Sequence, residues 1–136
     1  MEMKNFQAHI DSLSPMLELV LKQAKDIGFD KKHLENIHLA AEEALINVIT
    51  YAYPDKHGDI EIRCYPAKVK SGIIIEIIDS GVPFDPLNHP EPDLSLPLEQ
   101  RPIGGLGIFM IKKIMDALSY KRDNGKNIFI LTKYID

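Results

Sequence analysis

Three short stretches of this 136-residue chain carry residue types that could do chemistry. The first is Glu43-Ala44-Leu45-Ile46-Asn47. A carboxylate and a carboxamide four residues apart share one face of a helix. Their helix is otherwise apolar on nearly every side between Ile37 and Tyr53, and a carboxylate is costly to bury without a partner. Two readings fit. Either Glu43 is half-exposed and Asn47 bonds to backbone, or the pair lines a site in which Asn47 reaches a metal ion and Glu43 acts as a base. Glu42 points elsewhere, as a surface charge. The second stretch is Asp79-Ser80-Gly81, directly after the apolar run Ile73–Ile78. A carboxylate at a strand end, followed by a glycine, can approach a flat ligand and accept a hydrogen bond from an exocyclic amine such as that of adenine. The same three residues also make an ordinary turn. The third is Gly104-Gly105-Leu106-Gly107, which opens a helix. Backbone N–H groups there can face an anion, and the helix dipole helps. A flexible hinge is the plainer alternative. The stretch is no P-loop, because no Gly-Lys-Ser/Thr follows, and no dinucleotide fingerprint, because a proline-rich loop precedes it.

These stretches need elements to hold them. Residues 4–10 read as a strand. A helix follows, capped by Ser12 or Ser14, with Pro15 in its first turn, apolar spacing from Leu17 to Ala24 and a stop at Gly28. Asp30 caps a second helix, which runs to about Tyr53, before Pro54. Strand patterns lie near 60–66 and 70–79, with a turn around Ala67–Lys68 or Ser71–Gly72. Residues 80–104 hold six of the nine prolines and form a long loop. A helix over Gly105–Met115 precedes strands near 117–122 and 127–134, joined by Asp123-Asn124-Gly125. The order predicts one α+β domain over residues 1–136, a mixed sheet with helices on one face.

Composition narrows the function. The net charge is −4 and the basic residues are scattered, which argues against nucleic acid as a partner. No apolar run approaches the ~20 residues of a membrane span. Cys64 is the only cysteine, in an alternating strand pattern where it is expected to be inert. A single cysteine and no signal peptide predict a cytoplasmic protein. His9, His33, His38, His57 and His89 are dispersed and lack zinc-site spacing.

The order of the three stretches resembles the GHKL, or Bergerat-fold, ATPases, which include gyrase-type, Hsp90-type, MutL-type and histidine-kinase proteins. Glu43–Asn47 is similar to the N box, Asp79-Ser80-Gly81 to the first glycine box and Gly105-Leu106-Gly107 to the second. The Glu-Ala-x-x-Asn form, the Pro83-Phe84-Asp85-Pro86 run, the Arg101–Gly107 run and the ending Gly125–Lys133 look most like the anti-sigma-factor serine/threonine kinases. The resemblance implies a two-layer α/β sandwich with a mixed, mostly antiparallel sheet. It implies that Asn47 ligates magnesium and Glu43 is the general base. Asp79 would bind the adenine amine of ATP, with Gly81 leaving room for the ring. Gly104, Gly105, Leu106 and Gly107 would carry the phosphates, with Arg101 as a candidate phosphate contact. Residues 82–104 would be the ATP lid. Typical members phosphorylate a small anti-anti-sigma partner, a STAS domain, and sequester a sigma factor, and homodimers are expected.

The chain departs from that pattern in one place. Many members have Gly-Thr-Thr in the last strand, where this one has Gly125-Lys126-Asn127. Three functions therefore compete: a serine/threonine kinase acting on a sigma-factor regulator, a nucleotide-switched binding module with little or no transfer, and a scaffold without nucleotide. A histidine-kinase fragment is disfavoured, because 136 residues leave no room for a dimerisation domain that carries the accepting histidine.

Overall fold

The computed structural model describes residues 2–54, 57–88 and 105–135. In chain order the elements are β1 (Glu2–Gln7), a short 3-10 turn (Ile10–Ser12), α1 (Leu13–Ile27), α2 (Lys31–Tyr51), β2 (Asp59–Pro66), β3 (Gly72–Asp79), a second 3-10 turn (Pro86–Asn88), α3 (Gly105–Ile114), β4 (Ala117–Asp123) and β5 (Lys126–Tyr134). Among the described residues the five strands form one sheet in the order β1-β2-β3-β5-β4.

The helix boundaries follow from local chemistry. Gly28 ends α1 in a left-handed conformation at φ 119°, its N–H reaching the carbonyls of Ala24 and Lys25. Ser12 sits at the N-cap of α1 without making a side-chain cap bond. The Asp30 carboxylate caps α2 by accepting from the His33 N–H at 2.9 Å. Those bonds to His33 hold its pKa below the ordinary carboxylate value. Helix α2 stops at Tyr51, two residues earlier than the proline alone suggests, and the Tyr53 side chain is used elsewhere.

The expected mixed sheet is not what forms: among the described residues all four strand pairs are antiparallel. The reason is the route of the chain. From β3 it passes through α3 to β4 at the sheet edge, and a tight hairpin then folds β5 between β4 and β3. That hairpin turns on Asn124 at φ 50° and Gly125 at φ 76°, the two positive values a type I′ turn requires.

Strands β2, β3 and β5 alternate, and one face meets the helices. Ile60, Ile62, Cys64, Ile73, Ile75, Ile77, Phe129 and Leu131 are buried there. Helix α1 adds Met16, Leu17, Val20 and Ala24, and α2 adds Ile37, Ala40, Ala41, Ala44 and Leu45. Burying each large aliphatic side chain contributes about 1.5–3 kcal/mol. Helix α2 packs against both α1 and α3. Cys64 is fully buried, and burial pushes its thiol up to about 12, so it stays protonated and inert.

Candidate functional site

Helix α2 turns Glu43 and Asn47 toward the start of α3. Glu43 is half-buried and Asn47 is 8% exposed. The glycine at position 107, in the first turn of α3, lies directly over them. A methyl group there would stand 2.7 Å from Glu43 Oε2 and 3.8 Å from Asn47 Nδ2. Only a residue without Cβ lets the helix start come this near without pushing the carboxylate aside. Asn47 Nδ2 is buried and has no hydrogen-bond partner among the described residues. An unsatisfied buried polar group costs about 1–3 kcal/mol, so this amide is shaped for a partner that the described residues do not supply. Turning the amide over would present its oxygen instead, as a hard cation requires. Among the described residues no group of three or more His, Cys, Asp or Glu could hold a metal unaided. A single amide ligand suits a magnesium ion that arrives with phosphates.

Asp79 closes β3 at the other end of the site, directly opposite Asn127 of β5. Its Oδ1 accepts from the Gly81 N–H and from Asn127 Nδ2, each at 2.9 Å. Burial raises its pKa, opposed by those two hydrogen bonds and by the Arg122 charge. Gly81 packs on the end of α2. A Cβ there would lie 2.0 Å from the Ala52 carbonyl oxygen, and the Val82 N–H donates to that same oxygen at 2.9 Å. Its missing side chain thus lets the turn abut the helix.

Several residues outside the three chemical stretches shape this end, among them Tyr51 and Tyr53, for which the sequence left core packing and pocket edge both open. The Tyr53 hydroxyl accepts from the Ser80 N–H at 2.8 Å and donates to the Asp59 carbonyl at 2.7 Å, which ties the Asp79 turn to the start of β2. Burial raises its pKa. Arg122 donates to the Gly81 carbonyl at 2.8 Å. Tyr51 stacks on Phe84, ring centroids 5.0 Å apart and 21° from parallel. Asn127 is the hub. It donates to Asp79 and, at 2.7 Å, to the Val82 carbonyl, and it accepts from Tyr120 Oη at 2.5 Å and from the Phe84 N–H at 3.3 Å. The only sequence signal for that role is its place where the resembled pattern has a threonine.

The structure thus brings together Glu43, Asn47 and Gly107 at one end and Asp79, Gly81 and Asn127 at the other, with Gly105 and Leu106 opening α3. Between them is a cavity lined by Ala44, Asn47, Val48, Asp79, Phe84 and Asn127, among others. Arg101 and Gly104, and most of the expected lid, lie outside the described residues.

Residues 6–133 match the histidine kinase-like ATPase domain. The chain belongs to that family. Within the family it sits beside proteins named serine-protein kinase RsbW. Those of Bacillus thuringiensis strain Al Hakam and Bacillus cereus strain 03BB102 are each 32% identical over 116 residues, covering 82% of this chain and 71% of theirs. Among solved structures, the RsbU and RsbW domains of Rv1364c from Mycobacterium tuberculosis superpose with a TM-score of 0.66 at 15% identity. That match covers 99% of this chain and 33% of the other, so the chain spans about a third of that structure's length. The histidine kinase domain of the Erythrobacter litoralis EL346 blue-light activated kinase superposes at 0.57 and 16% identity, over 90% of this chain and 61% of that one. These two likenesses show the shared α+β fold of the family.

Proposed function

We propose that this chain binds ATP with magnesium and transfers the γ-phosphoryl group to a serine or threonine of a small anti-anti-sigma (STAS-domain) partner, and so controls a sigma factor. The observation that carries the reading is the meeting of Glu43, the unpaired amide of Asn47 and the side-chain-free Gly107 at the start of a helix. The names of the RsbW relatives support it.

The roles follow from position. Asp79 would accept from the adenine amine, since its Oδ2 has no hydrogen-bond partner among the described residues. The N–H groups of Gly105, Leu106 and Gly107, at the positive end of α3, would receive phosphate oxygens. Asn47 would hold the magnesium, which neutralises phosphate charge when bound. In the transfer the substrate hydroxyl oxygen bonds to the γ-phosphorus, and the bond from that phosphorus to the bridging oxygen breaks. ADP leaves with that oxygen, and the hydroxyl proton passes to the Glu43 carboxylate.

Placement in the cytoplasm fits this role. No described helix is long and apolar enough to cross a membrane. A homodimer is part of the proposal, because β1 is an edge strand with β2 as its only neighbour among the described residues, open to pairing. A second reading, nucleotide-switched binding without transfer, is favoured by one observation: Asn127 stands where the resembled kinases have threonine. Mixing the chain with ATP, magnesium and the cognate STAS protein decides between them. Phosphate on the partner supports the kinase, and nucleotide-dependent binding with no phosphate supports the switch.

A further inference from the structure

The slot beside Asp79 is shut, and what shuts it is the first part of the expected lid. Helix α2 and the two central strands wall it with Ala44, Val48, Asp79 and Phe129, while Phe84 and Pro86 close it from outside. The cavity that remains is about 10 Å³, at most the space of one water. Small-molecule sites usually offer ~300–1,000 Å³. Ala44 is fully buried and Val48 and Phe129 nearly so, and a close-packed core does not open by that much. A purine can enter only if the segment carrying Phe84 and Pro86 moves.

One side chain ties that segment to the slot. Asn127 spends both donor hydrogens and both acceptor positions on protein partners: Asp79, Val82, Phe84 and Tyr120. Two of the four are on the segment, one is the acceptor proposed for adenine, and Tyr120 braces the amide from β4. The root of the segment is anchored separately, with Val82 on the Ala52 carbonyl and Gly81 on Arg122. Motion is thereby confined beyond Val82, where Phe84 rests on Tyr51.

We propose that Asn127, braced by Tyr120, latches Phe84 over the adenine slot, so that nucleotide enters only when this latch is released. The inference rests on the reading of the Asp79 slot as the adenine site and adds a residue that links the slot to the lid. The latch makes the binding-competent state a minor one, and apparent affinity falls by the fraction that is open.

Stopped-flow mixing of the full chain with magnesium and N-methylanthraniloyl-ATP tests it. With a latch, the observed rate for the parent levels off at a ceiling as nucleotide rises. Tyr120→Phe keeps the ring and removes one bond to the amide, so its ceiling should rise about two- to tenfold. Phe84→Ala should remove the ceiling and tighten binding. Binding by Phe84→Ala when the parent is silent would also support the latch. A rate linear in nucleotide for the parent, with the same slope in both variants, overturns the latch and leaves ATP binding intact. If neither the parent nor Phe84→Ala binds the analogue, the ATP reading itself fails and takes the latch with it.

Discussion

The carboxylate of Glu43 and the α-carbon of Gly107 face each other so closely that a methyl group on Gly107 would sit 2.7 Å from Glu43 Oε2. Two residues 64 positions apart in the chain thus bring the proposed base to the end of the helix proposed to hold phosphate.

That contact separates catalysis from folding. In Gly107→Ala the methyl meets the far end of a flexible side chain, which can move. Alanine also favours the helix by roughly 0.5–1 kcal/mol over glycine. The melting temperature should hold or rise while phosphotransfer drops, because Glu43 is displaced. Gly81→Ala should do the opposite to stability. Its methyl would meet the Ala52 backbone at 2.0 Å, and overpacking of this kind costs about 1–3 kcal/mol. Thermal melts of both variants check the contrast, and equal losses would refute it.

Glu43→Gln keeps shape and removes the base. General-base help is worth ~10²–10⁴ in rate, so transfer to the STAS partner should fall by that factor with ATP affinity little changed. Asn47→Ala should lose magnesium-dependent ATP binding, and transfer with it. Parental transfer by Glu43→Gln would sink the proposed mechanism.

Asp79 predicts both nucleotide preference and a pH effect. ATP should bind better than GTP, which offers a carbonyl where adenine offers an amine. A hydrogen bond to a charged acceptor is worth ~1.5–3 kcal/mol, so Asp79→Asn should weaken ATP about ten- to a hundredfold. Burial raises the folded pKa above the ordinary 3.8. For a carboxyl the protonated form is then the one the fold prefers, so this group favours stability below 3.8 and that share is lost as pH rises through the raised value. Asp79→Asn should therefore leave stability at neutral pH equal or higher. ATP affinity should behave inversely and decline on acidification, with a midpoint above the ordinary 3.8 of an aspartate. Isothermal titration of the parent between pH 4 and 8 reads this, and a flat profile would count against the assignment.

Oligomeric state is a separate matter. The sheet face turned away from the helices carries half-buried Ile74 on β3, half-buried Ile128 and Ile130 on β5, and the 55%-exposed Met3 on the edge strand β1. Sedimentation at tens of micromolar should give a mass near twice 15.4 kDa. A monomer at that concentration would end the dimer proposal.

Local signals in the sequence were sufficient for the elements and for the three chemical stretches. Gly28, Asp30, Pro54 and Asn124-Gly125 act on their own backbone within a few residues, and strand alternation marks the buried face of Ile60, Ile62 and Cys64 without reference to the rest of the chain. The Glu43–Asn47 spacing likewise places both side chains on one helix face whatever surrounds them. Tertiary structure alone decided what those side chains meet. Nothing local tells that Gly107 presses on Glu43, that Gly81 is needed for Ala52, or that Tyr53 leaves its helix to hold Ser80. Asn127 is the clearest case: its four partners come from two stretches, Asp79–Phe84 and Tyr120, and only the β3–β5 register sets it against Asp79. A hydrogen bond between distant residues depends on positions to within a few tenths of an ångström, and packing of the whole core sets those positions.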